Sequence, residues 1–424
     1  MKINVGVTAA GLSLVLAASV SMAATDKTAV LETYADIALA GYEDSLTTAR
    51  ALDGAIDALI ATPSADTLAA AREAWVTARV PYQQTEVYRF GNAIVDDWEG
   101  KVNAWPLDEG LIDYVDPAYG GESDENLFYS ANIIANPSLL IGGQSVDASV
   151  IDKTLIRAFH EIDDVEANVS TGYHAIEFLL WGQDLNGTDA GAGDRPWTDF
   201  ALGADCTGDN CDRRRAYLKA ASDLLLDDLE EMVGYWQADG DARKALQDGG
   251  PDKGLSMILT GMGSLSYGEL AGERMKLGLL LHDPEEEHDC FSDNTHNSHY
   301  YNAAGIRNVY LGRYERIDGQ VVEGPALADL LKTEASDVDT AMRGTLDATM
   351  GAMETMRDSA ESGRMAYDQM IGEGNAEGNA KVQAAIDALL DQTKAIEKAV
   401  AALGLGALEF EGSDSLDNPT AVFQ

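Results

Sequence analysis

Positive charge is scarce in this 424-residue chain: 29 Lys and Arg stand against 72 Asp and Glu, a formal net charge of −43. Nucleic acid, which is bound by cationic neutralisation of its phosphates, is excluded as a partner. An anionic lipid surface is repelled on the same ground. Such acidity keeps a chain soluble and draws cations, but it does not in itself form a site. Histidine is rarer still, at 6 residues, with 3 cysteines, 10 prolines and 7% aromatics. Few aromatics and prolines in an alanine-rich chain lean towards helices and away from sandwiches and barrels. Several signatures are missing altogether: there is no G-x-x-x-x-G-K-[ST] phosphate loop, no G-x-G-x-x-G, no G-x-S-x-G elbow and no H-E-x-x-H.

Long apolar runs are absent too, apart from Val5 to Val20. That run follows the positive start at Lys2 and precedes the small-x-small site Ser21-Met22-Ala23. The pattern is that of a secretory signal peptide over 1–24, and the run is short for a membrane span. No Cys follows it, so a lipid anchor is not expected. The mature chain, more acidic by the loss of Lys2, carries no other segment long enough to span a bilayer. Export to a periplasm or cell envelope is the expectation. In that oxidising setting Cys206 and Cys211, which bracket the turn-forming Thr207-Gly208-Asp209-Asn210, are expected to form a disulfide. A thiolate metal site would need a second Cys or His pair nearby. Cys290 is left over, as a free thiol or a small buried residue.

The mature chain reads as all-α: two helical bundles and one small β-hairpin. The first bundle covers 25–182, with an irregular insertion at 91–146 rich in Gly, Asn, Pro and Trp. Long excursions of this kind are often functional. Ser64 is placed to cap a helix running to about Phe90, with Pro81 as a kink or restart. Residues 183–210 read as the connection between halves, 211–412 as the second bundle and 413–424 as a frayed tail. Asp318-Gly319 between alternating segments predicts a type I′ hairpin over 314–323.

The chemistry concentrates at Gly172-Tyr173-His174-Ala175-Ile176-Glu177. His174 and Glu177 are three apart on a predicted helix, so both face one side with Cβ atoms ~5–6 Å apart. An imidazole and a carboxylate at that separation can share one cation. Most H-x-x-E pairs are surface neighbours or a simple hydrogen bond. This pair sits in an apolar helix with Ile176, Phe178, Leu179, Leu180 and Trp181, where buried polar groups need a partner. A metal there needs neutral His174, so binding is expected to weaken as pH falls through ~6.5.

G-x-H-x-x-E followed by Trp181-Gly182-Gln183-Asp184 resembles the signature of the imelysin family, peptidase family M75, and most closely its iron-regulated protein A branch. The resemblance extends through Ala74-Trp75, Glu86-Val87-Tyr88-Arg89-Phe90-Gly91, Trp105-Pro106-Leu107-Asp108, Leu259 to Gly263, Glu269 to Arg274, and Asp289 to His296. It implies two helical bundles with a site where they meet, an exported location, possession of a metal-binding H-x-x-E segment and a link to iron supply. The peptidase name implies hydrolysis, but the motif lacks the third protein ligand and the adjacent general base of a catalytic zinc site.

The resulting expectation is an exported protein that binds iron or another transition metal, free or as a chelate, between its bundles. Envelope iron-uptake components are the expected partners. The ligands would be His174 and Glu177 with Glu86, Asp293 and His296, because oxygen and imidazole donors suit iron. Arg79, Arg89, Glu269 and Glu273 would support the site. Glu86 and Arg89 also read as an intrahelical ion pair. Glu269 and Glu273 are like charges needing a cation between them, either Arg274, Arg313 or a metal. Three of the six histidines fall within 288–299. His160 and His282 read as structural. A metallopeptidase and a small-ligand or chelate-binding protein are the rival functions.

Overall fold

A computed structural model describes residues 25–423 apart from 122, 124, 125, 142 and 143. The expected signal peptide, 1–24, lies outside the described residues. The fold is mostly helical, with two small antiparallel sheets.

Helix α1 spans Lys27–Ala61 and α2 spans Ala65–Gln83. Asp26 caps the first through Thr28 N, and Ser64 caps the second in a capping box with Thr67. Pro81 falls in the last turn of α2, which stops at Gln83 rather than reaching Phe90; Glu86 to Tyr88 form a separate 3₁₀ turn. Helix α3 (Ala93–Asn103) opens the irregular excursion, which adds a hairpin of β1 (Ser138–Ile141) and β2 (Gln144–Asp147), a second small sheet beyond the one expected. Helices α4 (Lys153–Phe159) and α5 (Gly172–Trp181) follow.

Helix α6 (Cys211–Trp236) falls in the stretch expected to form the second bundle. Its letters show a buried face but not which partner buries it, and the structure lays it along α1 in the first bundle. Arg50 pairs with Glu230, Lys219 with Asp53 and Asp57, and the Trp236 ring meets Tyr34 and Tyr88. The 183–210 segment is a tied loop, because buried Arg195 joins buried Arg214 of α6 on Asp113 of the excursion. Cys206 and Cys211 are joined as a disulfide at its end.

The chain enters the second bundle after α7 (Asp241–Gln247). Helix α8 (Pro251–Ser264), a π-helical segment (Leu265–Lys276) and α9 (Leu277–Leu281) form one rod. After the 282–294 loop come α10 (Thr295–Leu311), the hairpin β3 (Arg313–Glu315) with β4 (Val321–Glu323), and α11 (Leu327–Glu334). Helices α12 (Ser336–Glu361), α13 (Tyr367–Ile371) and α14 (Ala376–Ala402) follow. The β3–β4 turn is not type I′: Gly319 has φ +83° but Asp318 is not left-handed, and Gly319 N bonds Arg316 O. A three-residue loop with glycine at the αL position results. The tail is docked rather than frayed, since α15 (Asp414–Asp417) carries buried Ser415, whose Oγ donates to Gly272 O at 3.0 Å.

Helices α12 and α14 pack together, and both α10 and the π segment lie against this pair. Helix α10 also packs on α2, which brings the two bundles face to face. Among the described residues, no helix is long and apolar enough to cross a membrane.

Candidate functional site

Helix α5 is buried at every position from Gly172 to Trp181. Gly172 begins it with φ +81°, and a Cβ there would collide with the Val102 carbonyl of α3. Only glycine allows both the left-handed start and the close approach. Trp75 of α2 donates to Tyr173 O at 2.9 Å and fixes the other side. His174 is thereby aimed at the 282–294 loop, where its ring meets His288 edge to face with centroids 4.7 Å apart.

His174 and Glu177 do pair: Nδ1 and Oε2 are 2.9 Å apart. Glu177 has no oxygen to spare, because Oε1 accepts from Ser292 N at 3.0 Å and from Ser292 Oγ at 2.6 Å. In this arrangement the Glu177 carboxylate stands behind the imidazole. When Glu177 accepts the Nδ1 proton, the lone pair of His174 lies on Nε2. That atom is buried and has no hydrogen-bond partner.

Beside it stand two residues that were not among the expected ligands. Donor atoms of His174, His288 and Asp289 all lie within 4.8 Å of one another, and all three residues are buried. Asp289 Oδ1 accepts from Arg79 Nη2 at 2.9 Å, while Oδ2 accepts from Asn294 Nδ2 at 2.9 Å and from Ser298 Oγ. His288 Nδ1 lies 3.1 Å from Asp289 Oδ1 and 3.2 Å from Arg79 Nη2. Arg79 also donates to Asn103 Oδ1 at 2.6 Å.

Burial, with Arg79 beside it, pushes His174 down to about 3 against the pull of Asp289. Burial and Arg274 hold His288 well below its ordinary range. Burial would raise Asp289, but Arg79 and the two imidazoles outweigh it and keep the carboxyl well below its usual value. Burial and the Asp289 charge raise Glu177 well above its own, against the Ser292 bonds. At neutral pH the cluster is thus two neutral imidazoles and one carboxylate. His174 does not titrate near 6.5, so the acid sensitivity expected there passes to the Glu177 proton. A cleft of about 590 Å³ has His288 in its lining, with acidic residues that include Asp96, Asp97, Glu161 and Glu166 outnumbering Arg89, Lys101 and Arg274.

The other expected ligands lie apart. Glu86 accepts from Arg274 Nη2 at 2.7 Å and touches the cluster only through Asn103. Asp293 gathers with Asp184 and Asp368. His296 Nε2 lies 3.1 Å from Glu361 Oε1. Arg89 pairs with Asp96, Glu99 and Glu269, not with Glu86. Besides Arg89, the cation beside Glu269 is Arg274, at 2.6 Å, and Glu273 lies by Ser413. His160 bridges Gly100 O and Ser170 N, and His282 Nδ1 meets Ile371 O at 2.6 Å, both holding backbone. Cys290 is a free cysteine, its thiol raised well above its ordinary value by burial and then by Glu285.

The known proteins most informative for this chain carry one name. Iron-regulated protein A of Synechococcus elongatus is 29% identical over 109 residues, which cover 25% of this chain and 31% of that protein. The match thus spans about a third of the curated relative's length. A crystal structure from Parabacteroides distasonis ATCC 8503, provisionally named an iron-regulated protein A precursor, superposes with a TM-score of 0.63 at 20% identity. It covers 91% of this chain and 97% of its own, a likeness of fold. From residue 38 to residue 396 the sequence matches imelysin, peptidase family M75, and the chain belongs to that family.

Proposed function

We propose that this protein binds iron or another transition metal where its bundles meet, as an exported component of iron acquisition or homeostasis. The observation that carries the reading is the buried, unpartnered Nε2 of His174, on a residue whose donor atoms gather within 4.8 Å of those of His288 and Asp289. Two neutral imidazoles with one carboxylate make the donor set used by non-haem ferrous sites. Once ionised, as metal binding favours, Glu177 accepts the Nδ1 proton and fixes the His174 tautomer, and carboxylates in that position typically matter ~10–100-fold to affinity. The acidic cleft that includes His288 in its lining offers an approach that concentrates cations. The iron-regulated names of relatives in Synechococcus and Parabacteroides support iron as cargo. The apolar run before residue 24 supports export. Hydrolysis is the weaker reading, because both oxygens of Glu177 are engaged and Asp289, the carboxylate beside His174, is itself held by Arg79, Asn294 and Ser298.

The test is calorimetric titration of Fe²⁺, under anaerobic conditions, and of Zn²⁺ into chelator-treated protein, His174→Ala, His288→Ala and Glu177→Gln. Saturable binding lost in both alanine variants and weakened in Glu177→Gln is the expected result. Parent-like binding by folded His174→Ala would remove the site.

A further inference from the structure

The 282–294 loop carries a second set of side chains that the first cluster does not use. Asp184 follows α5, Glu287 and Asp293 lie on the loop, and Asp368 sits in α13. Carboxylate oxygens of Asp184, Asp293 and Asp368 all lie within 4.8 Å of one another. Glu287 faces Asp368 and Asp293. Glu287 and Asp368 are each 1% exposed. By strict geometry no donor reaches either oxygen of Glu287, Asp368 Oδ2 or Asp293 Oδ1, but Glu287, Asp368 and Asp293 lie close enough to share a proton, and burial raises all three carboxyls. Among the described residues, none of the four pairs with Lys or Arg. Asp293 takes one bond from Gly191 N at 3.1 Å, and Asp184 is held by Asn186.

We infer that Asp184, Glu287, Asp293 and Asp368 form a binding site for one calcium ion, separate from the imidazole cluster. Several carboxylates buried together without a counter-charge are strongly unfavourable, whereas a dication at their centre satisfies their free lone pairs at once. An oxygen-only donor set selects a hard cation over a transition metal. Calcium fits better than magnesium, because it accepts many oxygens in irregular geometry and sheds its water readily. These ligands come from two loops and the short helix α13, which suits that tolerance. Such a cation would clamp the loop to α13 and to the chain after α5. The same loop holds His288, Asp289 and Ser292, so calcium would brace the backbone that presents the first cluster.

The experiment titrates CaCl₂ into chelator-treated protein at ~0.15 M KCl, to screen diffuse binding by surface acids. The proteins are the parent, Asp368→Asn, Asp293→Asn and His174→Ala. One saturable site in the parent and in His174→Ala is expected, weakened about tenfold or more in each Asn variant. Amide exchange over 287–293 in the parent should slow with calcium. A parent without saturable binding or without slowed exchange overturns the proposal, as does parent-like binding by either folded Asn variant. Loss of calcium binding in His174→Ala would also overturn it, by placing the ion at the imidazoles. Because His174→Ala discriminates the two sites, failure here is distinguishable from failure of the transition-metal reading. If an Asn variant does not fold, the parent's stoichiometry and exchange still decide.

Discussion

Arg79 is both the partner of Asp289 and the competitor of any metal there, and replacing it with methionine separates these roles. The guanidinium is 1% exposed and donates to Asp289 Oδ1 at 2.9 Å, and the carboxylate is itself fully buried. Deleting one member of a buried ion pair leaves the other charge uncompensated, at a cost of ~3–5 kcal/mol. Arg79→Met should therefore lose about that much stability in urea unfolding of metal-free protein. A divalent cation liganded by Asp289 would stand ~5 Å from Arg79 Nη2 and be opposed by ~7 kcal/mol at an effective dielectric constant of 20. Removing Arg79 also lets His288 Nδ1 donate to Asp289, freeing Nε2. The variant should bind Zn²⁺ or Fe²⁺ more tightly than the parent, and saturating metal should restore most of the lost stability, as linkage requires. Calorimetry and urea unfolding with and without metal make the measurement. Unchanged metal-free stability, or a folded variant whose affinity falls, would refute the reasoning.

Four further outcomes follow. Metal binding should favour ionised Glu177, so affinity should rise with pH and protons should be released, read by calorimetry in buffers of different ionisation heat; proton uptake would contradict the tautomer argument. His160 is pushed down to about 4, chiefly by burial, so the fold holds it neutral while the unfolded chain protonates near ~6.5. Its contribution is complete above that value and is lost, by up to ~3 kcal/mol, as pH falls towards 4; His160→Gln should flatten this part of the stability–pH profile. Asp113→Asn should cost ~3–5 kcal/mol in chemical unfolding, because Arg195 and Arg214 lose their shared carboxylate. Unreduced peptide maps should show Cys206 linked to Cys211 and Cys290 unlinked, and Cys206→Ser with Cys211→Ser should cost ~2 kcal/mol, small because the loop is short.

Helical class, the capped start at Ser64 and the motif helix were legible in the letters, because periodicity and caps are local. The partner of α6 was not, since amphipathic spacing reports a buried face and says nothing of what covers it. His174 was found through an imidazole placed in an apolar helix. His288 and Asp289 were not, although the density of histidine across 288–299 marked their segment. That segment has no period from which to tell which side chains turn towards α5, so Asp293 and His296 were chosen and lie elsewhere. The full bonding of Glu177 was not legible for a related reason: three-residue spacing predicts adjacency to His174, but not that Ser292, remote in sequence, bonds its Oε1. Glu269 and Glu273 were paired by α-helical spacing, and the backbone there is not α-helical.

The wide turn of the π segment has a consequence for how the junction tolerates change. Leu277 N bonds Gly272 O, five residues back. In an α-helix, residues 269 and 274 would point about 140° apart; here Arg274 Nε reaches Glu269 Oε1 at 2.7 Å while Nη2 reaches Glu86. The ion pair that stitches the rod to the first bundle is thus written in backbone phase as much as in side-chain identity. A one-residue deletion between 265 and 273, harmless in length, would swing Arg274 off both carboxylates, whereas the same deletion in the exposed 316–320 turn would leave that stitching alone. Insertions and deletions, rather than substitutions, are the changes to which this junction is most exposed.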